Sequence, residues 1–266
     1  SLTKLIAVLV LRELNVDINA TYTIPRYVFK PYYKTRLKPG LEFTMIDLLH
    51  SALLGSDNVA VHCLVEISGV PESRFVEMMN NYAARMNLRN THFVEPTGYD
   101  ERNVSTSYEL SLIMRKVLEE PLLSRIVSTK YMTIHALNSN YSIDYINTNR
   151  LLLDPSKRTL GGKTGFINEA GYCLITTNKL ECGRDVIMVF LGANGKLTRF
   201  ADANRMYDWL NKNATITRVL TQPSQQLPTV SSGQGQSRIN MNNIRGANNG
   251  LVVQYDAGQY NNDIRQ

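Results

Sequence analysis

The chain opens with Ser1-Leu2-Thr3-Lys4, and the apolar run Leu5-Ile6-Ala7-Val8-Leu9-Val10-Leu11 follows directly. This run predicts a buried helix, because it presents no polar face. Ser1 and Lys4 would then lie one turn apart on the same side. Free main-chain N–H groups and the helix dipole favour negative charge at such a serine. A lysine one turn on can take the serine proton if burial or cationic neighbours lower its pKa.

Taken alone, the same pattern more often means a helix-capping serine followed by a solvated lysine. At average residue usage, Ser-x-x-Lys arises by chance roughly once in a chain of this size. The rest of the sequence therefore has to decide between a cap and a catalyst.

Length and composition limit the class of protein. The 266 residues are enough for one sizeable domain, alone or with an appendage. Apolar residues make up 43% and charged residues 20%, as in soluble globular proteins. The net charge of +6 suits nucleic acid or a cell envelope, but it is spread along the chain. No apolar stretch reaches the ~18 residues of a membrane span.

The cysteines and histidines give no sign of a metal or cofactor. Cys63, Cys173 and Cys182 lack metal-ligand spacing, and the four histidines form no HExxH pattern. Cys63 and Cys173 lie in apolar runs and are expected in the core. A Cys173–Cys182 disulfide is possible but not favoured.

The order of predicted elements indicates an α+β fold: a mainly antiparallel sheet flanked by helices, with an inserted helical subdomain. Apolar periodicity, caps and turn residues predict helices at 2–13, 44–54, 59–67, 72–87, 107–118 and 198–211, and strands within 130–147, 171–177 and 185–191. Basic and aromatic residues alternate over 26–38, which could attract nucleic acid but better fits a solvated excursion.

The C-terminal part differs in composition from the rest of the chain. From about residue 221 it is rich in Gln, Asn, Ser and Gly and has no periodicity. We therefore assign residues 1–214 to one domain and residues 215–266 to a flexible tail, in which 250–255 could add one strand.

Three short motifs stand in order along the chain: Ser1-x-x-Lys4, Ser56-x-Asn58 and Lys163-Thr164-Gly165. Lys-Thr-Gly alone is expected only ~0.06 times by chance. Their order is that of penicillin-binding proteins and class A β-lactamases. The stretches 40–49, 90–98, 147–152 and 171–172 add to the likeness, so residues 1–212 resemble the low-molecular-mass penicillin-binding proteins of the D-alanyl-D-alanine carboxypeptidase type.

This resemblance implies an extracytoplasmic serine DD-peptidase, in the periplasm or on the envelope exterior. It would trim peptidoglycan stem peptides ending in D-Ala-D-Ala, bind β-lactams covalently and need no metal, cofactor or nucleic acid. The implied catalytic residues are Ser1, Lys4, Ser56, Asn58 and Lys163, and the implied substrate-binding residues are Thr164, Gly165, Phe166 and Arg199. The N–H groups of Ser1 and Phe166 would form the oxyanion hole.

Several alternatives stay open. Glu95 precedes Pro-Thr-Gly where the family more often has asparagine, and it could activate water as in a β-lactamase. Arg199 could bind the substrate carboxylate or be a solvated helix residue. A non-catalytic interaction protein is possible, although the intact motifs argue against it. The motifs do not separate carboxypeptidase from endopeptidase. The family also has an upstream strand, so we expect the native protein to extend beyond Ser1.

Overall fold

A computed structural model describes residues 1–213 and 250–256. The predicted tail therefore lies outside the described residues, apart from 250–256. Helices and mainly antiparallel strands together form an α+β fold, as predicted. None of the helices within the described ranges has the length and apolar character needed to cross a lipid bilayer.

The helices come mostly from the first 130 residues. They are α1 (Lys4–Glu13), α2 (Met45–Leu53), α3 (Asn58–Ile67), α4 (Glu72–Arg85), α5 (Ser107–Glu119), α6 (Pro121–Ser128) and α7 (Thr198–Asn213). Caps explain several starts: the Thr44 side chain accepts from Asp47 N before α2, and the Thr106 side chain accepts from Glu109 N before α5. The apolar run makes α1 the buried centre, since Leu5 to Leu11 are nearly inaccessible.

Within the described residues, the strands form three sheets. They are β1 (Thr21–Thr23), β2 (Glu42–Thr44), β3 (Tyr131–His135), β4 (Ser142–Ile146), β5 (Thr159–Ile167), β6 (Gly171–Lys179), β7 (Asp185–Ala193) and β8 (Gly250–Asp256). β1 pairs with β2 and β3 with β4, and the main sheet has the order β5-β6-β7-β8. The first three strands of the main sheet are antiparallel, whereas β8 runs parallel to β7.

The main sheet is covered on both faces because its side chains alternate. Cys173, Ile175, Ile187 and Val189 point to the large core shared with α1–α6. Their neighbours Leu174, Val186, Met188 and Phe190 point to a smaller core under α7. β5 is left at one edge of the sheet, next to the start of α1, and this edge carries the third motif.

The region 14–40 contains little regular structure. Only β1 and a short 3₁₀ turn at Arg26–Val28 are regular there. Cys63 and Cys173 are buried, and all three cysteines of the chain are free, so Cys173 and Cys182 are not paired.

Candidate active site

The first motif forms a tight turn at the start of α1. Lys4 N donates to Ser1 O at 3.3 Å and Leu5 N to Leu2 O at 3.1 Å, so the chain turns before the regular helix begins at Lys4. This turn brings Lys4 Nζ to 3.1 Å from Ser1 Oγ. A hydroxyl and an amine are thus in direct hydrogen-bond contact, as a nucleophile and its base require.

Lys4 is completely buried and surrounded by oxygens. Its Nζ also donates to Asn58 Oδ1 at 2.5 Å and to Thr97 O at 2.6 Å. Burial lowers the pKa of Lys4 to about 8, while the nearby carboxylates of Glu95 and Asp57 act in the opposite direction. At pH 7 about one-tenth of such amines are neutral, which is enough for a base to form.

The second motif is the corner between α2 and α3. The Asp57 side chain accepts from Ala60 N and caps α3, which leaves Ser56 and Asn58 on either side free to face the cleft. Ser56 has φ +60°, a left-handed conformation that is unusual for a residue other than glycine. Such backbone strain is typical of functional positions.

Lys163 joins the second motif to the third. Its side chain is completely buried on β5, and its Nζ donates to Ser56 Oγ at 2.6 Å and to Thr164 O at 2.9 Å. Burial and the positive charges of Lys4 and Arg199 lower its pKa. The two buried lysines therefore release protons at lower pH than exposed lysines do.

The rest of the third motif lines the edge of β5. Thr164 Oγ1 donates to Thr148 Oγ1 at 2.7 Å, and the half-exposed Phe166 ring stacks on Tyr172 with centroids 4.2 Å apart. Thr148 was not singled out from the sequence as a site residue, although it lies in the quoted stretch 147–152. The hydroxyl of Thr164 is thus held next to Lys163.

The glycines around this motif serve the protein's own packing more than a bound peptide. A Cβ on Gly162 would overlap Ile175 O, and one on Gly161 would lie 2.9 Å from the Val127 side chain. The neighbouring strand and α6 therefore already fill the space beside Gly161 and Gly162.

Arg199 is not a solvated helix residue, because it is only 5% exposed. Its Nη1 donates to Gly165 O and Cys173 O, both at 2.9 Å, and burial lowers its pKa. The guanidinium therefore ties β5 to β6 directly beneath the third motif. It also lines the same cleft as Ser1.

The family whose sequence pattern is described as D-alanyl-D-alanine carboxypeptidase matches residues 1–195. The chain belongs to this family. A D-alanyl-D-alanine endopeptidase of Pseudomonas aeruginosa is 33% identical over 217 residues, which cover 79% of this chain and 68% of the relative. A protein of the same name from Escherichia coli is 32% identical over 198 residues, covering 74% of this chain and 62% of the relative.

Solved structures agree with this assignment. The DD-transpeptidase of Streptomyces K15 superposes with a TM-score of 0.72 at 26% identity, covering 79% of this chain and 86% of that chain. A D-alanyl-D-alanine carboxypeptidase from Mycobacterium tuberculosis gives 0.69 at 25% identity, covering 82% of each. The resemblance predicted from the motifs is confirmed, and the protein is a serine DD-peptidase of peptidoglycan.

The DD-peptidase motifs meet in an open cleft of about 1110 Å³. Tyr32, Lys34 and Tyr99 are among the lining residues that the sequence analysis did not assign to the site. The Tyr32 and Tyr99 rings stack with centroids 4.6 Å apart. The alternation of basic and aromatic residues over 26–38 is visible in the sequence, but its contact with residue 99 is a long-range one that no local pattern reveals.

The main-chain nitrogen of Ser1 donates to Gly98 O at 2.8 Å. This nitrogen is the terminal ammonium group of the chain as given, and the contact ties Ser1 to the loop at Gly98. Gly98 has φ +75°, and a Cβ there would lie 2.5 Å from Ser1 N. Only glycine fits this position, since both its backbone conformation and its space exclude a side chain.

Glu95 does not present a free carboxylate to the cleft. Its Oε1 accepts from Gly98 N at 2.6 Å, and its Oε2 accepts from Thr97 N at 2.7 Å. A water-activating base needs a lone pair for water. The β-lactamase alternative, with Glu95 as the deacylating base, therefore finds no support in this geometry.

Proposed function

We propose that this DD-peptidase cleaves the D-Ala-D-Ala end of stem peptides through an acyl-enzyme on Ser1. The observation that carries this proposal is the 3.1 Å contact between the completely buried Lys4 Nζ and Ser1 Oγ, which lines the cleft. Neutral Lys4 takes the Oγ proton as Oγ attacks the scissile carbonyl carbon. The peptide C–N bond then breaks, and water later hydrolyses the serine ester.

Ser56 serves as the proton donor to the leaving amine. Its hydroxyl lies 2.6 Å from Lys163 Nζ, so a proton lost from Ser56 can be replaced from that side. Asn58 receives a hydrogen bond from Lys4 through Oδ1, which leaves its amide nitrogen to hold the substrate's carbonyl.

Cations and donors at the β5 edge bind the terminal carboxylate. Lys163, Thr164 and Arg199 lie within or directly beneath this edge, and Gly165 and Phe166 continue it. An edge strand with unpaired main-chain groups can pair with an extended peptide. A β-lactam would enter the same position and acylate Ser1.

We also propose that cross-linked peptides are substrates. The two bacterial relatives above are named endopeptidases, and the cleft is large and open enough for a second peptide branch. Because peptidoglycan lies outside the cytoplasmic membrane, the proposed location is extracytoplasmic, in the periplasm or on the envelope exterior. Cutting cross-links there would contribute to cell shape.

The test is to incubate the chain with a purified cross-linked muropeptide dimer and, separately, with a monomeric pentapeptide. We expect monomers from the dimer, and D-alanine from the pentapeptide if carboxypeptidase activity is also present. Fluorescent penicillin should label the protein at Ser1, and Ser1→Ala should lose the label while its circular dichroism stays unchanged. A folded wild-type protein that neither labels nor cleaves would refute the proposal.

A further inference from the structure

Glu95 organises the loop that follows it. Its Oε1 accepts from Gly98 N at 2.6 Å, from Tyr99 N at 2.9 Å and from Asn103 Nδ2 at 2.7 Å. Its Oε2 accepts from Thr97 N at 2.7 Å and from Thr97 Oγ1 at 2.6 Å. Hydrogen bonds to an ionised acceptor are the strong ones, so one carboxylate fixes three consecutive peptide units.

The same peptide units hold the catalytic pair. Thr97 O accepts from Lys4 Nζ at 2.6 Å, and Gly98 O accepts from the main-chain nitrogen of Ser1 at 2.8 Å. The N–H groups of Thr97 and Gly98 thus bind Glu95, while their carbonyls bind the nucleophile's backbone and its base. A shift of this loop would move both partners of the reaction.

Asn103 completes the connection to α1. Its Oδ1 accepts from Val94 N at 2.7 Å and from Glu95 N at 3.3 Å. Its Nδ2 also donates to Glu95 O at 3.0 Å and to Thr3 Oγ1 at 3.3 Å. The loop is therefore tied at a second point to the turn between Ser1 and Lys4.

We propose that Glu95 is a positioning residue for acyl transfer, which holds Thr97 O and Gly98 O in place to orient Lys4 and Ser1. The proposal rests on the proposed function of Ser1 and Lys4. It assigns Glu95 a role before and during acylation, instead of water activation afterwards.

Besides fixing the loop, the charge of Glu95 changes the pKa of Lys4. Three side chains act electrostatically with Lys4: the carboxylates of Glu95 and Asp57, and the amine of Lys163. The two carboxylates raise the pKa of Lys4 and so oppose burial, Glu95 more than Asp57. Removing the Glu95 charge should therefore lower that pKa, whereas a purely structural role would leave it unchanged.

The test measures the second-order rate of acylation by benzylpenicillin from pH 5 to 10. Glu95→Gln keeps the shape but loses the charge and places an N–H₂ against loop N–H groups. The acylation rate should rise with pH to a plateau, with a midpoint at the pKa of Lys4. For Glu95→Gln we expect the plateau to fall about 10- to 100-fold and the midpoint to move down by about 1 pH unit. Glu95→Asp keeps the charge, so its plateau should fall while its midpoint stays at the wild-type value.

Glu77→Gln, which removes an exposed carboxylate on α4, is the matched control and should change neither value. A folded Glu95→Gln protein that keeps either the wild-type plateau or the wild-type midpoint overturns the proposal. If neither Glu95 variant folds, Asn103→Ala tests the same loop: its plateau must fall several-fold, and an unchanged plateau overturns the proposal. Absence of acylation in the wild type would refute the proposed function instead.

Discussion

The start of α1 and the edge of β5 each bring one lysine into the cleft, and both lysines are 0% exposed. Their surroundings differ. Lys4 Nζ has three oxygen acceptors and two carboxylates close enough to raise its pKa. Lys163 Nζ has two acceptors, and its charged neighbours Lys4 and Arg199 are cations. The two lysines are therefore equally buried but differ in their hydrogen-bond acceptors and in the charges around them.

The difference matches a division of labour. A base has to exchange a proton near the working pH, and the carboxylates keep the pKa of Lys4 at about 8 in spite of its burial. The charged neighbours of Lys163 are cations, so the negative charge that balances them can come from the substrate carboxylate. Lys4 would act as the base, and Lys163 as the electrostatic anchor.

The largest expected effect comes from replacing each lysine by arginine. Arginine keeps the positive charge but does not lose its proton in proteins. Lys4→Arg should therefore lower kcat and penicillin acylation about 10³-fold or more, within the range known for loss of a general base. Lys163→Arg should lower kcat/KM only about 10- to 100-fold, since an anchoring charge remains. Stopped-flow acylation and peptide hydrolysis would measure both.

Thermal unfolding of both arginine variants has to be measured as well, because arginine is larger than lysine and both positions are tightly packed. Lys→Met at each site removes the charge at similar volume and controls for size. Equal losses for the two arginine variants would break the proposed division of labour.

A smaller effect is expected from pH alone. The neutral fraction of Lys4 rises about tenfold per pH unit below its pKa and levels off above it. The acylation rate of the wild-type enzyme should therefore climb from pH 6 and bend near pH 8. A pH profile at constant ionic strength measures the bend. A rate that is flat between pH 6 and 8 would show that Lys4 is not the titrating base.

Most of the fold could be predicted because its signals are local. The apolar run after Lys4, the cap at Thr44 and the turn between β6 and β7 each follow from neighbouring residues. The parallel direction of β8 and the irregular path of 14–40 depend on contacts with distant parts of the chain, which periodicity does not record. Strand pairing across long separations is a tertiary property.

The site shows the same limit. Its motif residues were recognisable because the chemistry of acyl transfer requires certain side chains at fixed spacing, and the structure brings Ser1, Lys4 and Asn58 into one hydrogen-bonded group. The carbonyls of Thr97 and Gly98 were missed because a main-chain oxygen has no residue signature. Glu95 looked like a base in sequence, since a carboxylate's hydrogen-bond partners become visible only in three dimensions.

The smallest effect concerns the Lys163 side of the cleft alone. Thr164 Oγ1 donates to Thr148 Oγ1 in the free enzyme, so this hydroxyl has to turn to reach a substrate carboxylate. Thr148→Val removes the acceptor that holds it, at similar volume. Because one hydrogen bond contributes about 1 kcal/mol, KM should change only about two- to fivefold while kcat stays the same.

The matched control for Thr148→Val is Thr133→Val, which removes an exposed hydroxyl on β3 that donates to Asp144. It should leave both constants unchanged. A change in kcat, or a shift in the pH midpoint of acylation, would show that Thr148 affects Lys4 as well as Lys163. The start of α1 and the edge of β5 would then act as one coupled unit, since a change confined to the anchoring strand would have altered the base.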